Sequence, residues 1–297
     1  MLTWFQAVVM GLLQGSSELF PISSLGHSIV VPSLIPGWGG LARAQSQPES
    51  FFLAFLVALH VGTALALLAY FWREWIRIIR ALLRSIGRRR IETPDERLAW
   101  LLVVATIPAG ITGLAFEHLF RTLFAKPLAA SVFLVVNGVV LLAGERFRRR
   151  AEVREVAVRH GTYTGTDVRR LDTLEFKEAG IIGVAQVLAL LAGISRSGIT
   201  MVAGLVRGLN HEDAARFSFL LATPIILAAG VYKIPDLMGP LGNGIRWQAL
   251  AGGVAAAVTA YLSVRFLIRY FQTRTLTPFA IYCLLAGAAM IVRFSIF

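Results

Sequence analysis

The sequence predicts an all-α polytopic membrane protein with six transmembrane helices plus two re-entrant helical hairpins arranged as an inverted repeat. Three observations predict it: an apolar fraction of 56% with only 15% charged residues, basic residues gathered in two connections, and a polar motif that occurs twice. Soluble domains carry about 25% charged residues. A chain of 297 residues with this composition is therefore typical of an integral membrane protein.

Six apolar stretches are candidates for transmembrane helices, because a crossing needs about 20 mostly apolar residues. The last stretch is short, and we expect it to extend to Thr277 and into residues 294–297. The six stretches are residues 51–71, 98–116, 128–144, 217–234, 247–267 and 278–292.

The basic residues predict the orientation of these spans. Residues 73–97 hold eight arginines and residues 146–177 hold nine Lys or Arg residues, whereas the other connections hold one or two each. By the positive-inside rule the two rich connections face the cytoplasm, which places both chain ends outside. The net charge of +12 then reflects topology and not a nucleic acid partner. An anionic-ligand site in these connections is the less favoured alternative.

Two further apolar regions are predicted to enter the membrane without crossing it. Residues 4–35 are interrupted by the polar stretch 14–24, and residues 179–206 are interrupted by 193–198. Each leaves two apolar arms of about ten residues, too short to span singly. Polar turns at membrane depth are tolerated only where they line a cavity or are buried in protein.

The two interruptions share one motif with an offset of 172 residues. The first copy is Gly11-x-x-Gln14 followed by Ile22-Ser23-x-x-Gly26-x-Ser28, and the second is Gly183-x-x-Gln186 followed by Ile194-Ser195-x-x-Gly198-x-Thr200. Each half is one hairpin plus three spans, so the odd number of crossings inverts the second half. We expect a single membrane domain, with repeat one at about 1–146, repeat two at about 179–297 and a basic cytoplasmic loop at 147–178. Packing of small residues is the alternative explanation of the match.

The first polar turn carries candidate catalytic residues. Gln14 and Glu18 are four apart and share one helix face, and Ser24 and His27 are three apart and can face one cavity. An ionisable group at membrane depth costs at least about 2.5 kcal/mol, so Glu18 and His27 need partners or a function. A histidine near a serine hydroxyl can act as its general base.

The second polar turn carries candidate phosphate-binding residues. Ser195, Arg196, Ser197 and Thr200 open a predicted helix whose first N–H groups are free. A helix N-terminus together with a bidentate arginine suits a phosphate. The sequence therefore predicts that the two turns meet near the membrane midplane and hold a phosphorylated ligand.

Structural roles compete with these assignments. Ser23 and Ser24 can equally serve as helix caps. The hydroxyls of Ser16 and Ser17 are typical of side chains that hydrogen-bond free backbone groups at a helix break. We interpret His60 and His118 as hydrogen-bonded packing residues. The chain shows no Walker loop, no His-Glu-x-x-His motif and no cysteine cluster.

At these residues the sequence resembles the undecaprenyl-diphosphate phosphatase family, the bacitracin-resistance membrane phosphatases. The resemblance is carried by residues 14–27, QGSSELFPISSLGH, and 193–200, GISRSGIT, with further similarity at 217–224 and 278–282. It implies hydrolysis of undecaprenyl diphosphate to undecaprenyl phosphate and inorganic phosphate, which recycles the lipid carrier for peptidoglycan synthesis. It also implies a site that opens to the extracytoplasmic face of the bacterial inner membrane and a divalent cation, Mg²⁺ or Ca²⁺.

Carried over to this chain, the acidic motif of the family falls on Gln14 and Glu18, with Glu18 the expected metal ligand. The Ser-Ser-x-Gly-His motif falls on Ser23, Ser24 and His27. The phosphate-binding arginine falls on Arg196. Many relatives have glutamate at the position of Gln14, so a metal site here has one charged ligand fewer.

The resulting hypothesis is that Ser24, activated by His27, attacks the terminal phosphorus while Ser195, Arg196, Ser197 and Thr200 hold the diphosphate, with Ser23 and Gln14 as further substrate contacts. Attack by His27 itself, or by water with His27 as base, stays open. A polyprenyl-phosphate flippase or transporter is the rival function, since it shares the inverted-repeat architecture. A structural subunit is a third alternative, and a homodimer is compatible with the sequence.

Overall fold

The computed structural model describes residues 2–45, 50–124, 126–158 and 171–296, and within these ranges the chain is helical without strands. The principal helices are α1 Trp4–Ser17, α2 Ser24–Leu34, α3 Gly39–Gln45, α4 Phe51–Tyr70, α5 Trp72–Arg88, α6 Pro94–Phe124, α7 Pro127–Val158, α8 Phe176–Val187, α9 Arg196–Val206, α10 His211–Met238, α11 Arg246–Tyr270 and α12 Thr277–Ile296.

The six predicted spans are confirmed. Within the described ranges, six helices are long and apolar enough to cross a bilayer: α4, α6, α7, α10, α11 and α12. Most of these helices are longer than predicted. Their ends include polar turns, which capping residues keep helical but which an apolar stretch in the sequence does not reveal. The first turn of α10 is an example, since Asn210 accepts a hydrogen bond from the Asp213 N–H at 2.6 Å.

The two predicted hairpins are pairs of short helices, α1 with α2 and α8 with α9. Their lengths are 14, 11, 12 and 11 residues. At 1.5 Å per residue none exceeds about 21 Å, which is short of the roughly 30 Å hydrocarbon core. Each pair is therefore suited to enter the membrane and return.

Packing between the two halves is reciprocal. The first spans, α4 and α10, pack on each other, and so do the third spans, α7 and α12. The hairpin helix α1 packs on α11, the second span of the other half, and α8 packs on α6 in the same way. These are the contacts that a pseudo-twofold relation between two inverted halves requires.

Two glycines of the repeated motif make this packing close. A Cβ on Gly11 would lie 2.3 Å from the Gly252 carbonyl oxygen of α11, and one on Gly183 would lie 2.5 Å from the Ala105 carbonyl oxygen of α6. Real side chains do not tolerate such distances, and small residues let membrane helices approach closely. This part of the motif thus serves helix packing in both halves.

The arginine-rich connection 73–97 is mostly helix α5, where only a basic connection was expected. Trp72, Ile79 and Leu83 form an exposed apolar stripe, while Ile78 and Ser85 are buried against the protein. Between these two faces runs a stripe of arginines: Arg73, Arg77, Arg80, Arg84 and Arg88. An apolar face beside a basic face is the pattern of a helix that lies in the membrane interface.

Candidate active site

The two polar turns meet, as the repeat predicts. The Gly193 N–H of the second turn donates to Ser23 Oγ of the first at 3.2 Å, and the Ser197 hydroxyl donates to the Phe20 carbonyl at 3.2 Å. A Cβ on Gly26 would lie 3.0 Å from Gly193 Cα. The backbones of the two turns are therefore in direct contact, and their side chains share one site.

Ser23 and Ser195 shape the two turns. Ser23 Oγ accepts the Gly26 N–H at 3.2 Å, and Ser195 Oγ accepts the Gly198 N–H at 3.1 Å, so each caps the helix that follows it. Ser23 has φ 69°, a conformation that is rare for a residue other than glycine. Both serines line the cavity described below, with their hydroxyl oxygens already accepting backbone N–H groups.

A buried ion pair joins the turns. Arg196 Nη2 donates to Glu18 Oε1 at 2.8 Å, and the two side chains are 13% and 6% exposed. Glu18 Oε2 accepts from Gln14 Nε2 at 3.0 Å and from the Ser24 hydroxyl. A buried ion pair is stable only when further hydrogen bonds satisfy its members, and Glu18 meets that condition.

These groups face a cavity of about 260 Å³. Its polar lining comes from both halves: Glu18, Ser23, Ser24, His60, Gln186, Ser195 and Arg196. Its apolar lining includes Val57 of α4, Ala109 of α6 and Ile225, Ile226 and Ala229 of α10. The cavity thus joins a small charged region to an apolar wall.

His60 lies in this cavity, which its interpretation as a packing residue did not anticipate. Its Nε2 is 3.4 Å from Glu18 Oε2, and its Nδ1 is 2.8 Å from the Leu56 carbonyl. The available signal was its position inside the otherwise apolar span α4, where an ionisable residue marks a function by default. The side chain of His118 lies outside the described residues.

His27 is directed away from Ser24. Its Nδ1 is 2.7 Å from the Ser23 carbonyl, its Nε2 is 2.8 Å from the Tyr282 hydroxyl, and its ring stacks on Tyr282 with a centroid distance of 5.8 Å. It is absent from the described residues that line the cavity. The hypothesis that His27 is the base for Ser24 therefore has no support in this geometry, because both ring nitrogens already have other partners.

Ser197 and Thr200 lie behind the second turn. Ser197 Oγ is 3.0 Å from Ser195 Oγ, and Thr200 Oγ1 lies 2.8 Å from the Arg196 carbonyl and 2.7 Å from Ser218 Oγ. Neither is among the described residues that line the cavity. Their hydroxyls hold the start of α9, so direct contact with a phosphate stays a prediction that these hydrogen bonds do not favour.

The expected divalent cation does not fit the residues around Glu18. Both carboxylate oxygens already accept hydrogen bonds, and Arg196 and His60 stand beside them. Within the described parts of the chain, no group of three His, Cys, Asp or Glu residues could hold a metal ion. Metal sites for Mg²⁺ or Ca²⁺ use several oxygen ligands. The requirement for a cation stays a prediction, and no chemical step is assigned to it.

Two glutamines at matching repeat positions carry unpaired polar atoms. Gln186 is 2% exposed and lines the cavity, and neither its amide oxygen nor its nitrogen has a partner among the described residues. Gln14 Oε1 likewise has no partner in the part of the chain that the structure describes. Buried polar groups are nearly always hydrogen-bonded, so an orphaned amide beside a cavity indicates a ligand contact.

Together, the fold and the site define an integral membrane protein whose cavity brings a buried carboxylate, a guanidinium and a serine hydroxyl together. The sequence profile described as bacitracin resistance protein BacA matches residues 7–289. The chain belongs to this family.

Named relatives are similar to this chain over nearly its whole length. It is 58% identical to the undecaprenyl-diphosphatase of Mycolicibacterium paratuberculosis, over 98% of this chain and 97% of the relative. It is 55% identical to undecaprenyl-diphosphatase 2 of Frankia alni, over 99% of each. It is 45% identical to the undecaprenyl-diphosphatase of Granulibacter bethesdensis, over 95% and 94%.

Proposed function

We propose that the protein is a membrane phosphatase that hydrolyses undecaprenyl diphosphate to undecaprenyl phosphate and inorganic phosphate. The observation that carries the proposal is the Ser24 hydroxyl, bound to the buried Glu18–Arg196 pair at the wall of a cavity. Relatives that match the whole chain bear the same activity in their names. The reaction recycles the lipid carrier of peptidoglycan synthesis and accounts for bacitracin resistance in the family.

The charge in the cavity suits the diphosphate end of this substrate. Phosphoryl transfer depends mainly on positioning and on neutralising charge at the phosphate oxygens. Arg196 supplies a guanidinium fork, and its Nη1 is held 3.4 Å from the Ser218 carbonyl. The unpaired amide of Gln186 supplies a further contact to a phosphate oxygen. The apolar wall from α4, α6 and α10 suits the first prenyl units.

Ser24 is the nucleophile of this proposal. Its hydroxyl donates to Glu18 Oε2, which is positioned to take the proton as the serine oxygen attacks the terminal phosphorus. Water then hydrolyses the phosphoserine and releases inorganic phosphate. Direct attack by water with Glu18 as base is the remaining variant, and His27 is not positioned for either role.

The proposed location is the bacterial inner membrane, which the chain crosses several times. Both termini lie on the extracytoplasmic side in this proposal, and the cavity opens to the same side. The arginine-rich connections support this orientation, since they gather at the end that the positive-inside rule assigns to the cytoplasm. A homodimer stays a prediction.

A flippase is the less favoured function. A carrier uses a cationic grip such as Arg196 but has no need of a hydroxyl donating to a buried carboxylate beside it. The names of the relatives, which describe a diphosphatase, agree with hydrolysis.

The test is phosphate release from undecaprenyl diphosphate by the purified protein in detergent, with added Mg²⁺ or Ca²⁺ and with chelator in separate arms. We expect release by the wild type and its loss in Arg196→Ala. Arg246→Ala is the matched control, because Arg246 is exposed and, within the described residues, bonds only to the C-terminal end of α10 and the connection that follows it. A folded wild type that releases no phosphate in any arm would refute the hydrolase and leave the flippase as the leading function.

A further inference from the structure

Helix α5 has three distinct faces along its whole length. Residues three and four apart lie on one face of a helix, and one residue further on is rotated by about 100°. The arginine face therefore lies next to the exposed apolar face, and the buried face completes the circle. The buried face consists of Glu74, Ile78, Ala81 and Ser85, the apolar face of Trp72, Ile76, Ile79, Leu83 and Ile86, and the arginine face of Arg73, Arg77, Arg80, Arg84 and Arg88.

Two polar contacts on the buried face fix α5 to the transmembrane helices. Near its start, Glu74 Oε1 accepts from Arg216 Nη2 of α10 at 2.7 Å and from Arg216 Nε at 3.0 Å. Near its end, Ser85 Oγ accepts from Trp100 Nε1 of α6 at 2.9 Å. The helix is thus held at both ends in one rotation, with the other two faces directed away from the protein.

The depth of these contacts gives the direction of the α5 axis. Helices α6 and α10 begin at the same end of the bundle, because the segment Leu171–Thr173 packs on both near their starts. Helix α10 begins at His211 and α6 at Pro94, so Arg216 and Trp100 lie five and six residues into their helices. At 1.5 Å per residue, both are about 8–9 Å from the helix starts. The two ends of α5 therefore lie at similar depth, and its axis runs along the membrane surface.

The arginine face carries charge that the protein does not neutralise. Glu74 is the only acidic residue of α5, and it is paired on the buried face. Arg88 is 3.6 Å from Glu92, in the connection that follows. The remaining arginines are exposed, and within the described ranges three of them have side chains without an ion pair or hydrogen bond: Arg77, Arg80 and Arg84.

We propose that α5 is a binding surface for anionic phospholipids. The apolar face contacts their acyl chains, and Arg77, Arg80 and Arg84 contact the phosphates of their headgroups. Charge complementarity and the order of the faces identify this partner. A soluble anion would use the arginines alone, whereas a phospholipid of net negative charge uses the arginines and the apolar face beside them. Trp72, 53% exposed at the start of the apolar face, is a residue type enriched at the membrane interface.

The test measures which lipid lies against Trp72. The protein is placed in nanodiscs of equal parts phosphatidylglycerol and phosphatidylcholine, with bromine on the acyl chains of one lipid at a time. Bromine quenches tryptophan fluorescence on contact, and the difference between the wild type and Trp72→Phe isolates the signal of Trp72. We expect quenching to show a preference of about fivefold for phosphatidylglycerol, the ratio that one arginine supplies at an anionic surface.

Substitutions then identify the groups that cause the preference. Replacing Arg77, Arg80 and Arg84 together by glutamine should lower it to less than about twofold. The matched variant with lysine at all three positions keeps the charge and should keep most of the preference. Arg246→Gln should keep all of it, because Arg246 is an exposed arginine at the opposite end of the bundle, next to the C-terminal end of α10.

Three results would overturn the proposal. Equal quenching by the two lipids in the wild type would show no preference, and a full preference in the glutamine variant would assign it to other groups. A Trp72 that neither lipid quenches would show that a second copy of the chain or another protein covers the apolar face.

A salt series on the wild type covers the case in which the glutamine variant fails to fold. The preference should decline as salt is raised from about 0.05 to about 0.5 M, since screening weakens contacts between exposed charges. A preference that salt does not change would also overturn the proposal. None of these measurements uses phosphatase activity, so their failure leaves the proposed function untouched.

Discussion

The two re-entrant turns share a scaffold and differ in chemistry. In each, a serine caps the following helix through the N–H three residues on: Ser23 to Gly26 and Ser195 to Gly198. At the next position, the first turn carries Ser24 and the second carries Arg196. One position of the repeat thus supplies the proposed nucleophile in one half and the cation in the other.

The acidic group shows the same division. Glu18 of the first half corresponds to apolar Leu190 in the second, while Gln14 and Gln186 are identical. The two halves therefore share a capped turn and differ in the reactive side chains that this turn carries. Neither half holds a complete site. The substitutions below test what each half contributes to it.

The largest expected effect is that of Arg196→Ala, which removes the cation of the second turn. We expect kcat/KM to fall about 10³- to 10⁵-fold, as when an arginine that stabilises a phosphoryl transition state is lost. Arg196→Lys should recover only part of this, because an ammonium lacks the bidentate fork. Phosphate release measures both. Equal activity of the lysine variant and the wild type would show that charge alone suffices.

Ser24→Ala removes the proposed nucleophile of the first turn. We expect kcat to fall about a thousandfold, with the residual rate due to the remaining charges, and we expect no phosphoenzyme when substrate labelled in its terminal phosphate is quenched with acid. Ser16→Ala is the control, because the Ser16 hydroxyl bonds only to carbonyls of its own helix within the described residues. Near wild-type turnover in Ser24→Ala would favour direct attack by water.

Gly193→Ala tests the packing of the second turn against α7. Gly193 has φ 110°, and a Cβ would lie 2.3 Å from the Ala130 carbonyl oxygen. Strain and overpacking together should cost about 2–5 kcal/mol of unfolding free energy, measured by thermal unfolding in detergent. Gly87→Ala has open space around its Cβ and should cost nothing. An unchanged midpoint for Gly193→Ala would mean that the second turn can move away from α7 without loss of stability.

The smallest effects are expected for substitutions of the two matched glutamines, Gln14 and Gln186. Gln186→Leu removes an unpaired buried amide, so it should raise the midpoint of unfolding slightly, while KM rises about fivefold to tenfold if the amide binds a phosphate oxygen. Gln14→Leu breaks the bond to Glu18 and should lower the midpoint. Unfolding midpoints and KM together separate the two roles. A midpoint that falls in both variants would contradict the assignment of Gln186 to a ligand.

The sequence predicted the spans, the hairpins and most of the cavity. The length and apolar content of the stretches predicted α4 and the other five spans. The repeated motif predicted that Glu18 and Arg196 lie close together. Helix α5 is not evident from composition, because its many arginines lower its mean hydropathy; the spacing of these arginines is the feature that indicates a helix. His60 was missed because it has no polar neighbour in sequence, so only three-dimensional packing brings it to Glu18.

The orientation of His27 could not be predicted either. A spacing of three from Ser24 permits a shared face, but the ring can rotate to a partner far along the chain. Tyr282 provides that partner 255 residues later. Sequence spacing on a helix therefore limits which residues can meet, and the choice among them depends on contacts between distant segments.

The ion pair between the halves has a consequence for how the protein is made. Glu18 and Arg196 are 178 residues apart. At about 5–20 residues per second, the ribosome completes the arginine roughly 10–40 s after the glutamate. During that interval Gln14, Ser24 and His60, all encoded in the first half, are the partners that Glu18 has available. The newly made first half can thus enter the bilayer with hydrogen-bond donors already placed around its carboxylate, before the second half supplies the guanidinium.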